Sequence, residues 1–158
     1  MKVLLDYSQA FDSINHEMLL AKMHYYGFGE GVITWLRSYL QERQQVTKVG
    51  NETSQPLFKL RGVSQGLGPI LFNLYPSDFP GYVQSCTAHL YADDCQLHLA
   101  YDPDKLSSAI DQLNSDLQRI VTLSATNGLK LNISKCTVMH IAPRNLVQAL
   151  CESGVAVI

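Results

Sequence analysis

The chain has 158 residues, 46% hydrophobic and 16% charged, which is enough to bury a core as about one domain and excludes a disordered or fibrous protein. Its 12 Lys and Arg against 14 Asp and Glu leave a formal charge of −2, without the broad basic footprint expected of a self-sufficient nucleic-acid enzyme. No apolar run approaches the ~18 residues of a membrane span. Cys86, Cys95, Cys136 and Cys151 are irregularly spaced, form no zinc pattern and follow no signal peptide, so they read as reduced thiols of an intracellular protein, nuclear or cytoplasmic and not secreted.

Val3 to Tyr7 predicts a short buried strand that begins almost at the first residue, so the chain looks cut at its start. Two helices are expected over His16 to Tyr26 and Gly31 to Glu42, where Leu19, Leu20 and Met23, then Ile33, Leu36, Tyr39 and Leu40, recur at helical spacing. Gln45 to Val49 and Pro56 to Leu60 read as a hairpin about Gly50-Asn51-Glu52. A glycine-rich segment, Arg61 to Pro69, leads to a short helix, Pro69 to Tyr75, which Pro76 stops. Strand-like runs Thr87 to Tyr91 and Cys95 to Ala100 follow. Asp102-Pro103 then caps a long amphipathic helix with Leu106, Ile110, Leu113, Leu117 and Ile120 on one stripe and Asn127-Gly128 as its stop. Leu129 to Leu131 and Thr137 to Ile141 are further strands. Helices and antiparallel hairpins interleave without regular strand-helix alternation, which predicts an α+β layer with helices on one face of an antiparallel sheet.

Between the two middle strands lies Tyr91-Ala92-Asp93-Asp94. Adjacent carboxylates at a hairpin tip are unfavourable unless something positive sits there; taken alone, the pair also reads as a solvated turn. Asp6 ends the first strand run, with Phe11 and Asp12 close behind. Three carboxylates on neighbouring strands would make a site for a hard cation.

Several motifs then occur in the order of one family. Leu4-Leu5-Asp6 with Ala10-Phe11-Asp12 and Asn15-His16, Tyr26-Gly27-Phe28 with Trp35-Leu36-Arg37-Ser38-Tyr39-Leu40, Gly62-Val63-Ser64-Gln65-Gly66 with its helix, Tyr91-Ala92-Asp93-Asp94, and Asn127-Gly128-Leu129-Lys130-Leu131-Asn132 with Lys135 together resemble the palm of a reverse transcriptase of the non-LTR (LINE-type) retrotransposon kind. The resemblance implies a palm domain over 1–142 and a truncated start of the palm-thumb connection over 143–158, with fingers and thumb missing. It also implies an RNA-directed DNA polymerase that uses an RNA template, a DNA primer and dNTPs.

By that resemblance, Asp6 and Asp93 are the principal ligands and Asp94 a supporting ligand of two Mg²⁺ ions, for which Mn²⁺ could substitute; the ions activate the primer hydroxyl and stabilise the leaving pyrophosphate. Phe11 lies beneath the nucleotide sugar and rejects a ribose 2′-hydroxyl, Gln65 faces the nascent base pair, and Lys135 steadies or protonates the pyrophosphate. On the residues alone, Phe11 is also a core aromatic, Gln65 an exposed turn residue and Lys135 a solvated lysine. Asp12 is expected to cap the helix that His16 begins. No membrane partner is expected.

The second motif departs from the family: Ser64 stands where Pro is usual, and the loop between Gly66 and Leu67 is two residues shorter. Misplacement of ~1 Å at a reacting centre can cost ~100-fold in rate. The alternative is therefore a catalytically inactive remnant palm, silent or serving as a binding module, and the fragment's own nucleic-acid binding is expected to be weak.

Overall fold

A computed structural model describes residues 1–64 and 66–141. Strands β1 (Lys2–Leu5) and β2 (Tyr7–Ser8) precede helices α1 (Ala10–Ser13), α2 (His16–Tyr25) and α3 (Glu30–Leu40). Four two-residue strands follow, β3 (Gln44–Gln45), β4 (Lys48–Val49), β5 (Glu52–Thr53) and β6 (Leu57–Phe58), then α4 (Gly68–Leu74), β7 (Thr87–Tyr91), β8 (Asp94–His98), α5 (Leu106–Thr126), β9 (Lys130–Leu131) and β10 (Thr137–Met139). The chain divides into two compact units, one made of residues 1–8 with the chain from residue 76 onward, the other of Gln9–Tyr75. The expected connection over 143–158 lies outside the described residues.

The first unit is built on a four-stranded antiparallel sheet in the order β10-β1-β8-β7. Alternation decides its faces: Val3 and Leu5 of β1 and Cys95 and Leu97 of β8 are buried, while their neighbours Lys2, Leu4, Asp94, Gln96 and His98 are not. A fifth buried residue of the same parity, Tyr7, reaches the Ser124 hydroxyl of α5 at 2.8 Å, and burial pushes its phenol well above the ordinary range. α5 also contacts β9 and the 3₁₀ turn Phe79–Tyr82, which touches β7. This α+β arrangement, with helices on one side of an antiparallel sheet, is the one the residue pattern predicts.

The stripe that α5 buries is rotated from the expected one. Ala109, Leu113, Asp116, Ile120 and Ser124 are buried, while Ile110 is exposed. Asp116, with no accessible surface, accepts the backbone N–H groups of Gln84, Ser85 and Cys86 at 3.0, 2.8 and 2.8 Å and the Arg119 guanidinium at 2.6 Å. Burial alone would raise its pKa; the three N–H donors and the Cys86 thiol outweigh it and hold the carboxyl down at about 2. Asp102 places no side-chain cap on the turn that follows and instead pairs with Lys105 at 3.4 Å. Burial pushes the thiols of Cys86 and Cys95 up to about 12.

In the Gln9–Tyr75 unit, α2 packs on α3 and α4 through Leu19, Leu20 and Met23 of α2, Ile33, Leu36 and Leu40 of α3, and Leu71 and Phe72 of α4. Asn15 caps α2, its side chain accepting the Met18 N–H at 3.1 Å. The expected cap, Asp12, lies within α1 and pairs with Lys59 at 2.8 Å, because Asn15 stands closer to the helix start. The expected hairpin forms as two short ladders, β3 with β6 and β4 with β5, around a turn in which Gly50 takes a φ of 60°.

β7 and β8 are joined by a two-residue turn, Ala92-Asp93, closed by the Tyr91–Asp94 pair. Ala92 has a φ of 50°, a left-handed conformation that costs a non-glycine residue ~1–2 kcal/mol. Ala92→Gly should therefore stabilise the chain by about 0.5–1 kcal/mol in urea unfolding, after the larger chain entropy of glycine is offset. For Asp116, a folded pKa of about 2 against an ordinary 3.8 means that its contribution is complete above about pH 4 and is lost as pH falls from there towards 2. The amount is on the order of 2 kcal/mol. Asp116→Asn should lower stability at pH 7 by about 3 kcal/mol, leaving buried N–H donors poorly matched, and should flatten the acid limb by the linkage amount.

Candidate active site

Of the carboxylates singled out in the sequence, Asp6 follows β1, Asp94 begins β8, the strand paired with β1, and Asp93 stands in the turn before it. β1 pairs with β8 so that Leu5 faces Cys95; one residue further, Asp6 falls beside Asp94, both on the face opposite the core. β1 also pairs with β10, with Leu4 facing Thr137; beyond that ladder the chain forms the 3₁₀ turn Ile133–Lys135, whose last side chain comes near that of Asp6. Tyr91 is the partner of Asp94 on β7. Lys135 and Asp6 thus lie at the end of the sheet where Tyr91 and Asp94 pair, with Asp93 in the adjoining turn.

Local backbone bonds hold this end of the sheet. The Asn132 N–H donates to the Asp6 carbonyl at 2.8 Å, and the Lys135 N–H donates to the Asn132 carbonyl at 3.0 Å, so the 3₁₀ turn Ile133–Lys135 is stitched to the strand that bears Asp6. Lys135 Nζ lies 4.0 Å from Asp6 Oδ1, with both side chains partly in water; such a pair contributes ~0–1 kcal/mol. Asp93 and Asp94 form no ion pair among the described residues. Like charges directly opposite on neighbouring strands repel, so the Asp6–Asp94 neighbourhood carries a negative excess that one lysine only half offsets.

Carboxylate oxygens have the right chemistry for a hard divalent cation. Their arrangement does not hold one ready: among the described residues, no three His, Cys, Asp or Glu side chains converge closely enough to hold a metal. Asp6 is turned instead to the ammonium of Lys135.

Phe11 belongs to the Gln9–Tyr75 unit. Its ring centroid lies 4.7 Å from that of Phe72 on α4, and it lines a pocket of about 440 Å³ with Asp12, Lys59, Val63, Ser64 and Gly68. The glycine motif reaches this ring by close backbone approach. Gly62, at a φ of 85°, donates to the Ile14 carbonyl at 2.8 Å, and a Cβ there would meet the Asp12 Cα at 2.8 Å, so only glycine fits. The next N–H, of Val63, donates to the Phe11 carbonyl at 3.0 Å. His16 Nε2 lies 2.7 Å from the Gly62 carbonyl. Gln65 lies outside the described residues.

Sequence reasoning missed two contributors to this geometry. Asp116 fixes the segment immediately before β7, and Lys59 neutralises Asp12 at the rim of the Phe11 pocket. The first had a usable signal: an Asp at position 116, in helical phase with Ala109, Leu113 and Ile120, is a charge on a buried stripe.

Residues 1–152 match the family described as Reverse transcriptase (RNA-dependent DNA polymerase). The chain is 29% identical over 154 residues to the Retrovirus-related Pol polyprotein from type-1 retrotransposable element R2 of Popillia japonica, covering 89% of this chain and 24% of that protein. It is 31% identical over 149 residues to the Retrovirus-related Pol polyprotein from type-2 retrotransposable element R2DM of Drosophila melanogaster, covering 87% and 13%. The chain spans a quarter or less of the curated relatives it matches. Among solved structures, telomerase from Candida albicans in complex with a fragment of telomeric RNA superposes with a TM-score of 0.62 at 13% identity, over 88% of this chain and 27% of that one, a likeness of fold. With ordered motifs, a palm-like sheet and a match along nearly its whole length, the chain belongs to the reverse transcriptase (RNA-dependent DNA polymerase) family.

Proposed function

We propose that the chain is the palm portion of an RNA-directed DNA polymerase of a non-LTR retrotransposon, which adds deoxynucleotides to a DNA primer on an RNA template. The observation that carries this reading is the grouping of Lys135, Asp6 and Asp94 at one end of the sheet, with Asp93 in the adjoining turn. It is supported by the pairing of β1 with β8, which the Asp6 and Asp94 motifs adjoin, and by the approach of Lys135 to Asp6. Asp6, Asp93 and Asp94 are the proposed ligands of Mg²⁺, with Mn²⁺ as a substitute, and Lys135 the proposed donor to phosphate. Phe11 is proposed to exclude a ribose 2′-hydroxyl, a role supported by its placement on the wall of a pocket large enough for a ligand; Gln65 is proposed to face the nascent base pair.

The arrangement of the carboxylates also favours a second reading, an inactive remnant palm, because among the described residues no three of them converge. Single-nucleotide addition to an RNA-templated DNA primer, with the chain in excess over primer, separates the two. The expected result is addition that requires Mg²⁺ and falls at least ~100-fold in Asp93→Asn, the scale on which misplaced or missing groups act at a reacting centre. Calorimetry that detects neither Mg²⁺ nor Mn²⁺ in the presence of primer-template and dNTP, together with no addition, would establish the remnant. In an active chain, Phe11→Ala should narrow the preference for dNTP over rNTP by about tenfold or more, the scale of steric discrimination in a pocket, while leaving metal dependence unchanged.

A further inference from the structure

The hairpin of β7 and β8 carries two histidines that none of these roles uses. His89 is exposed and His98 half-buried, and their ring centroids lie 5.1 Å apart with the planes at 89°. The strand register explains why they meet. His98 pairs with Thr87, and His89, two residues further along β7, pairs with Gln96. Residues two apart on a strand share a face, so the imidazoles are diagonal neighbours on the face opposite the buried Cys95 and Leu97.

An edge-to-face contact of two rings is one use of such a pair. Its dimension fits another. A metal–nitrogen bond of ~2.0–2.1 Å sets the metal about 3.2 Å from the centroid of the imidazole that binds it, so two imidazoles on one tetrahedral ion have centroids about 5.2 Å apart. The separation of His89 and His98 is 5.1 Å. Rotation about each metal–nitrogen bond leaves the angle between the planes free. The β7–β8 ladder, running from the Thr87–His98 pair to the Tyr91–Asp94 pair, fixes both backbones, and χ2, a broad torsion in histidine, sets which ring atom faces the shared point.

The donor set decides which ion fits. Imidazole suits zinc, nickel and copper, whereas carboxylate and water suit magnesium. Asp94 stands on the other diagonal from His89, towards the hairpin turn. No third His, Cys, Asp or Glu side chain among the described residues joins the pair, so water completes the shell and the ion exchanges readily. Lys2 stands opposite His98 on β1, and its charge opposes a cation there.

We propose that His89 and His98 form a chelate site for one borderline transition-metal ion of the zinc, nickel or copper class, which clips β7 to β8. The site is independent of the polymerase reading and of the carboxylates proposed to hold Mg²⁺. An ion that binds the folded hairpin more tightly than the unfolded chain stabilises the fold, so the urea midpoint should rise with Ni²⁺ or Zn²⁺ concentration.

Calorimetric titration of the full chain with Ni²⁺, and separately with Zn²⁺, should show one saturable site near neutral pH that excess Mg²⁺ does not displace. His89→Gln and His98→Gln should each weaken binding about tenfold or more, the scale on which even outer-shell partners of a metal act, with circular dichroism confirming the fold of each variant. Lys2→Gln should strengthen binding about two- to threefold, and His24→Gln should leave it unchanged. On the unaltered chain, substoichiometric Ni²⁺ should broaden the ring-proton resonances of His89 and His98 before those of His16, His24 and His140. Absence of Ni²⁺ and Zn²⁺ binding overturns the proposal. Binding that survives both histidine variants, or that Mg²⁺ displaces, puts the ion on other donors and also overturns it. Nickel binding without nucleotide addition would support this site and count against the polymerase; addition without nickel binding would do the reverse.

Discussion

The register of β1 is the constraint on which the first unit depends. It is a central strand, bonded to β8 on one side and β10 on the other, and its period of two sends Val3 and Leu5 inward while Asp6 faces out. A slip of one residue would bury Asp6 and Lys2 and expose the apolar pair. The same register sets Asp6 beside Asp94 and brings Lys135 within reach. The chain's core packing and its acidic strip are therefore two faces of one pairing pattern, and neither can shift without the other.

How much of this was legible in the sequence follows from which forces were local. The helices at His16–Tyr25 and Glu30–Leu40 and the strand at Thr87–Tyr91 were readable because apolar spacing and flanking turns act within a few residues. That the segments bearing Asp6 and Asp94 lie side by side was readable only through ordered motifs, since nothing local says that β1 pairs with β8. The phase of α5 was misread because Asp116 and Ser124 look like solvent-facing residues; what buries them is a set of donors some thirty residues upstream and the hydroxyl of Tyr7. Asp12 was misread as a cap for a related reason, as its partner Lys59 is distant in sequence.

The Gln9–Tyr75 unit shows a different balance. Its three-helix core is ordinary, but β3 to β6 expose both faces, Leu57 and Phe58 among them. A two-stranded ribbon of this kind is marginal by itself. Lys59, in the loop just beyond β6, ties the ribbon back through Asp12, and Ser64 ties the glycine segment to α3. Single polar contacts therefore carry an ordering task that a buried apolar face would otherwise perform.

The buried thiols have a consequence for following local opening of the first unit. Cys86 and Cys95 lie at two places in the first unit, one bonded into the Asp116 cluster and one inside the sheet, both held at about 12 by burial. Both thiols are buried, so an alkylating reagent gains full access to them when the surrounding structure opens. Their modification rates form a pair of native clocks: one times the release of the segment before β7, the other the fraying of β8. Cys136, only half-buried, provides the comparison rate for a sulfur near the surface.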